Sequence, residues 1–291
     1  MISNEKKTVS FRKTLVVLTA ALGLAATAAP ALAAGGAKHP RSGGFSFEGP
    51  FGTYDQGQLQ RGYKVYKEVC ASCHSMNLVH FRNLGDKHGP FWNPEYPNPN
   101  DNPVVKALAK EVQVPDIDSE TGEALMRDAT TADKFPSPYP NATAAAAANG
   151  GAAPPDLSVM AKARHDGANY IYSLLSGYGA PPKGLKMTSA QHYNPYMAGD
   201  LTPFWEGEGH APKGGFIAMP APLQNGQVTY DDGTKATVDQ MSKDVAAFIA
   251  WTSEPKATER KQMGFGVIIF LLLFAGITYA SYRRIWKGVA H

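Results

Sequence analysis

Cysteine is almost missing. The 291 residues hold two, Cys70 and Cys73, both inside one short stretch. A disulfide-dense secreted scaffold is therefore excluded, and so is a structural zinc site of four cysteines. Charge is also sparse, at 18% of residues, whereas 43% are hydrophobic and 10% aromatic. That much apolar material supports a packed core and excludes a wholly disordered chain. Strong net charge is lacking too. The total is +3, yet Lys6, Lys7, Arg12 and Lys13 against Glu5 already supply +3, and Arg283, Arg284 and Lys287 supply another +3, leaving residues 34–282 at −3. A mildly acidic body excludes nucleic acid as the expected partner. No internal repeat is present. Glycine and proline, by contrast, are plentiful at 29 and 22, which predicts much loop and modest regular structure.

Two apolar runs set the expected compartment. Residues 1–33 read as a secretory signal: a basic segment ends at Lys13, residues 15–29 are apolar, and Pro30-Ala31-Leu32-Ala33 offers a small-x-small cleavage site. The competing reading is an uncleaved anchor, but the run is short and alanine-rich for a span. The second run, residues 263–282, carries no charge over a length that matches a membrane-spanning helix. Arg260 and Lys261 precede it and Arg283, Arg284 and Lys287 follow, so the positive-inside count decides little. The signal decides instead: the body is exported and the chain end returns to the cytoplasm. Tyr279, Tyr282 and Trp286 fit an interfacial aromatic belt. The expected organisation is a signal over 1–33, a periplasmic domain over 34–262, an anchor helix over 263–282 in a bacterial inner membrane, and a cytoplasmic tail over 283–291.

Within the body, Leu59, Tyr63, Tyr66 and Cys70 recur at helical spacing and predict a helix over 55–73, with Gly62 beside the stripe allowing close approach of another element. Residues 89–103 are Pro- and Asn-rich loop, and 104–112 fit a short helix. Residues 116–133 are acidic, with six carboxylates against Arg127, and read either as a solvated loop or as a surface that steers a basic partner. Asn141 reads as the N-cap of the alanine run 144–148, which Asn149-Gly150-Gly151 stops. Further helices are expected over 156–164 and 169–176. Residues 177–226 show little periodicity, and so long an irregular stretch points to function or to a group that holds it. Thr237-Val-Asp-Gln240 resembles a capping box, and Val238, Met241, Val245, Phe248, Ile249 and Thr252 then form a helical face ending before Pro255. Gly62 and Tyr66 are expected to meet Phe248 or Trp251 where this helix crosses the first.

Cys70-Ala-Ser-Cys73-His74 carries the chemistry. It is the attachment motif for one c-type haem. On a helix these positions share a face, so both thiols reach the vinyl groups of one porphyrin while His74 reaches the iron. A redox pair of cysteines is the alternative, but it calls for a βαβ context that is absent. The opposite axial ligand stays open on residues alone. Met76 follows His74 too closely, Met241 lies on a core face and Met263 in the anchor. Met160, Met187, Met197 and Met219 remain, with His165, His192 and His210 conceivable. Met219 is favoured because Pro220-Ala221-Pro222 keeps its segment extended. Met–His ligation raises the reduction potential and leaves no open position for substrate.

At this point the chain resembles a known family. Arg61-Gly62-Tyr63-Lys64-Val65-Tyr66 leads into Val69-Cys-Ala-Ser-Cys-His-Ser-Met76. Phe135-Pro-Ser-Pro-Tyr-Pro-Asn141, Pro154-Pro-Asp-Leu-Ser158, Ala163-Arg164-His165, the run Tyr170 to Tyr178, Tyr193-Asn-Pro-Tyr196, Ile217-Ala-Met-Pro-Ala-Pro-Leu223, Tyr230-Asp-Asp-Gly-Thr234 and the run Lys243 to Pro255 follow in order. The ordered set, from about Phe47 to Trp286, is similar to the cytochrome c1 family, the haem c subunits of ubiquinol–cytochrome c reductase. The resemblance implies that Met219 is the axial methionine, that Arg164 and Tyr170 contact the haem propionates, and that Pro155 is a haem contact. It implies cytochrome b and Rieske iron–sulfur subunits as partners, and soluble cytochrome c as electron acceptor. The chain lacks the extra cysteine pair that some bacterial members carry near the methionine, and it has apparent insertions over 89–103 and, relative to the shorter mitochondrial pattern, over 199–215.

The expected fold class is mostly α, a cytochrome c-like domain with long loops plus one C-terminal transmembrane helix. The expected function is one-electron transfer within a respiratory, proton-translocating complex, with no catalytic residue in the chain itself. Two alternatives are a tethered monohaem cytochrome serving another oxidase or dehydrogenase, and a haem enzyme or gas sensor with an open iron.

Overall fold

The computed structural model describes residues 36–288. The expected signal over 1–33 and the last three residues of the expected tail lie outside the described residues.

Helix α1 (Gln56–Glu68) starts because the Asp55 carboxylate accepts from the Gln58 amide at 2.6 Å. It buries Leu59, Gly62, Tyr63, Val65 and Tyr66. The long helix near the chain end, α5 (Val238–Ser253), starts where the Thr237 hydroxyl accepts from the Gln240 amide at 3.1 Å. Only half a capping box forms, since the Gln240 side chain reaches forward to Asp244 instead. These helices cross at Gly62. A Cβ there would stand 2.2 Å from the Asp244 carbonyl oxygen and 2.7 Å from the Phe248 Cβ, so only glycine permits the approach. Around the crossing, Tyr63 and Tyr66 lie with ring centroids 5.7 and 5.8 Å from Phe248, which stacks on Trp251 at 5.6 Å. The predicted meeting of Gly62 and Tyr66 with Phe248 is therefore observed. Helix α4 (Gly167–Ser176) packs on α5 from another side, burying Ala168, Ile171, Tyr172 and Ser173.

A buried ion pair spans the crossing. The Asp244 side chain is fully buried, and Arg61 Nε donates to it at 3.0 Å while Arg61 also reaches Asp232 at 2.7 Å.

The remaining elements are short. They are α2 (Pro103–Lys110), capped by Asn102; α3 (Ala142–Ala148), where the Asn141 side chain accepts from the Ala144 amide at 2.9 Å as predicted; and two antiparallel strand pairs. The first pair, β1 (Gln113–Ile117) with β2 (Ala124–Asp128), occupies the acidic stretch that sequence had left as loop or charged surface. The hairpin is held at its side by Arg127, which pairs with both Asp116 and Asp133. The second pair, β3 (His192–Asn194) with β4 (Gly215–Ile217), crosses the stretch 177–226, which is otherwise irregular as expected.

Two expected helices differ. The one over 55–73 ends at Glu68: Val69 leaves helical geometry at φ −120°, and a separate 3₁₀ turn covers Cys70–Ser72. The one over 156–164 is a series of turns. There the Leu157 amide donates to the Ser75 carbonyl at 2.9 Å and Asp156 binds three groups by its side chain, so the segment is tied to the chain after His74 rather than to itself.

Helix α6 (Ala257–Ile285) closes the chain. Its 29 residues include a stretch long and apolar enough to cross a membrane, and the apolar side chains from Met263 to Ile285 are exposed. Among the described residues the architecture is thus six α-helices, few short strands and long loops, mostly helical as predicted.

Candidate haem site

The C-x-x-C-H segment is one tight turn. The Cys73 amide donates to the Cys70 carbonyl at 3.1 Å and the His74 amide to the same carbonyl at 2.9 Å. The three side chains are therefore held within a single turn, although that turn is 3₁₀ rather than the end of a long helix.

His74 is oriented from across the chain. Its Nδ1 lies 2.8 Å from the Pro155 carbonyl oxygen. A carbonyl only accepts, so Nδ1 carries the proton and Nε2 keeps its lone pair for a metal. Burial pushes the His74 pKa down, against the opposing pull of the Pro155 carbonyl and Asp156, which favours the neutral ring that ligation needs. Pro155 itself is fixed by the residue after it. The Asp156 carboxylate accepts from the Ser75 hydroxyl, the Asn77 amide and the Ser158 amide, each at 2.8 Å, and the Ser158 hydroxyl accepts from the Leu78 amide at 3.0 Å. Three of these bonds, from Ser75, Asn77 and Leu78, zip residues 155–158 to 74–78, and the Ser158 amide fixes the Asp156 side chain locally. Sequence reasoning missed Asp156 and Ser158 as positioning residues. The available signal was the run of two prolines, which removes two amide donors and leaves the following side chains to make the links.

The thiols bear on which chemistry fits. Burial, with Cys73 as a lesser cause, pushes the Cys70 thiol up to about 12. A redox pair or a zinc ligand needs the opposite, a stabilised thiolate. Apolar surroundings with two free cysteines suit a hydrophobic macrocycle joined through its vinyl groups. The donor set fits a covalently held haem.

The segment of Met219, the expected second ligand, follows β3 and β4. The buried Asn194 ends β3 and donates to the Leu174 carbonyl at 2.8 Å, which ties the strand pair to α4. Met219 follows β4 by two residues, is half-buried, and accepts at its carbonyl from the Tyr178 hydroxyl at 3.0 Å. Tyr178 is a third residue that sequence reasoning missed as a support. Tyr170, on α4, donates to the Met197 sulfur at 3.7 Å, so the structure brings Tyr170 to a different methionine. Arg164 is exposed, and its one hydrogen bond among the described residues goes to the Ala163 carbonyl at 3.0 Å. Met76 and Met241 are fully buried in the core. The His165 side chain is 95% exposed and leans on Asp166. His192 lies in β3, and His210 is exposed.

A turn of this kind, with a buried Cys70 thiol on a mostly helical domain, suits a covalently held haem better than a thiol oxidoreductase. The Cytochrome C1 family model matches residues 45–289. Cytochrome c1 of Rhodospirillum rubrum is 41% identical over 287 residues, covering 89% of this chain and 94% of that protein. Cytochrome c1-2, heme protein, mitochondrial, of Solanum tuberosum is 44% identical over 237 residues, 81% of each chain. Cytochrome b/c1 of Bradyrhizobium diazoefficiens is 42% identical over 270 residues, 86% of this chain and 36% of that longer protein. The chain belongs to the cytochrome c1 family, the haem subunits of bc1-type electron-transport complexes.

Proposed function

We propose that this chain holds one haem c, joined through Cys70 and Cys73, and passes single electrons from a Rieske iron–sulfur subunit to a soluble cytochrome c. Cytochrome b is the further partner. The bound haem supplies a one-electron iron couple. The residues of the chain do the rest. His74 presents Nε2 because Pro155 holds Nδ1. Met219, whose carbonyl the Tyr178 hydroxyl holds, would be the second residue to hold the iron. With His74 and Met219 both holding the iron, no position would be left for a substrate. Arg164, exposed and without a carboxylate partner among the described residues, pairs with a propionate. Tyr170, whose hydroxyl among the described residues is held only by a thioether, a weak acceptor, would be available to join it. The hydrogen bond between His74 and Pro155 is the observation that carries this reading.

The same proposal places residues 34–262 in the periplasm after removal of 1–33, spans a bacterial inner membrane with 263–282, and leaves 283–291 in the cytoplasm. The test is Met219→Leu in the full chain. We expect the covalent haem to remain, the midpoint potential to fall and ferrous iron to bind carbon monoxide rapidly. An unchanged potential would assign the ligand to another residue. The acidic hairpin supports a second expectation: electron transfer to a basic cytochrome c slows steeply as salt rises through the range where the Debye length falls below about 10 Å. A rate indifferent to ionic strength removes the steering role.

A further inference from the structure

One large aromatic side chain of the helical domain points away from every core. Phe51 is 76% exposed. It sits at the tip of the loop 46–53, whose neck is closed by the Thr53 amide on the Ser46 carbonyl at 3.1 Å and by the Ser46 hydroxyl on the Thr53 carbonyl at 2.8 Å. Gly52 cannot be replaced without opening the loop, because a Cβ there would lie 2.1 Å from the Glu48 carbonyl oxygen. The loop is anchored inward by Phe47, whose ring centroid lies 5.0 Å from Phe45 and 4.9 Å from Tyr54. Its one acid, Glu48, turns back and accepts from the Asn169 side chain. The tip Gly49-Pro50-Phe51 is therefore rigid and uncharged.

The tip lies against α6. The Phe51 ring meets Phe265 edge-on at 5.8 Å, and Lys261 donates its ammonium to the Phe47 and Gly52 carbonyls at 2.5 and 3.2 Å. Phe265 is the third residue of the uncharged run 263–282, about 3 Å along the helix from its start. Lys256, Arg260 and Lys261 lie just above it. Lys256 is paired with Glu259 and Arg260 with Glu254, while Lys261 binds the loop carbonyls, so Phe51 stands beside the start of the uncharged run and next to these charged groups.

We propose that Phe51 is a membrane wedge that inserts into the outer edge of the lipid bilayer and fixes the height and tilt of the haem domain over the membrane. The occupant of this surface is phospholipid acyl chain, since the exposed ring is continuous with the apolar face of α6 and lies at the same level. The proposal rests on reading α6 as a membrane span.

The test reconstitutes the full chain in vesicles of phosphatidylcholine that include a phosphatidylcholine with a photoreactive diazirine on its acyl chain. Tryptic peptides are then mapped for lipid adducts. We expect adducts on the peptide 42–61 as well as on the anchor peptide 262–283. Phe51→Ser lowers the yield on 42–61 roughly tenfold, as loss of one buried ring should, and leaves 262–283 unchanged, whereas Phe51→Leu retains both. Adducts confined to 262–283 overturn the wedge and keep the span. Adducts on 42–61 that persist in Phe51→Ser also overturn the wedge. Absence of adducts from both peptides overturns the span, and the wedge with it.

Discussion

At the scale of single residues, two positions decide the helix crossing. Gly62→Ala gains about 1 kcal/mol in helix propensity but drives a Cβ into the Asp244 carbonyl, an overpacking cost of about 3 kcal/mol. The net expectation is a loss of about 2 kcal/mol, read as a lower denaturation midpoint with covalent haem retained. Asp244→Ala removes the fully buried partner of Arg61 and leaves that guanidinium and the Gln58 and Gln240 amides short of an acceptor. Breaking such a pair costs about 3–5 kcal/mol, while a joint Arg61→Met and Asp244→Leu exchange recovers most of it. Equal destabilisation of the single and double variants in denaturant titrations would show that the pair acts through something other than its buried charge. Gly62 was legible in sequence because a glycine beside an apolar stripe has few other uses. Asp244 was not, because an aspartate in a helix reads as surface until its neighbours across the crossing are known.

At the scale of elements, the acidic hairpin carries a pH prediction. Arg127 holds the Asp133 carboxyl well below the usual carboxylate range, chiefly by direct hydrogen bonds, and also lowers Asp116. A carboxyl with a lowered folded pKa stabilises the fold above its unfolded value, near 4, and that contribution disappears as pH falls toward the folded value. Protection of the β1–β2 amides in hydrogen exchange should therefore decline below about pH 4. Asp133→Asn should remove much of that pH dependence; an unaltered profile would assign acid sensitivity to other groups. The hairpin escaped sequence reading because Gln113 to Asp128 lacks clean alternation: its strands are exposed on nearly every residue. The expected helix over 156–164 failed for a related reason. Helical spacing in nine residues is weak, and Asp156 bonds the His74 segment instead. The caps at Asn141 and Thr237, being local side-chain-to-backbone bonds, were legible, although the reciprocal half of the capping box at Thr237 did not form.

At the scale of the whole molecule, the domain and α6 meet through few residues: Ala257 and Thr258 are buried, and Lys261 bonds the 46–53 loop. A chain of residues 34–262 should therefore be soluble without detergent, keep its haem and retain a ligated iron that resists carbon monoxide, as sedimentation and optical spectra would report. Loss of haem on truncation would mean that the anchor also shapes the site.

Sequence by itself marked the haem-attachment motif, the apolar run and the two crossing helices. C-x-x-C-H, the uncharged run over 263–282, the apolar stripes of α1 and α5 and the family all depend on residue type and short spacing. Tertiary structure decided what holds the chemistry in place. The Pro155 carbonyl that sets the His74 tautomer lies 81 residues away, and Tyr178 reaches Met219 across 41. Such contacts are made by backbone carbonyls and by residues of ordinary type. Nothing in their identity marks them until folding brings the segments together.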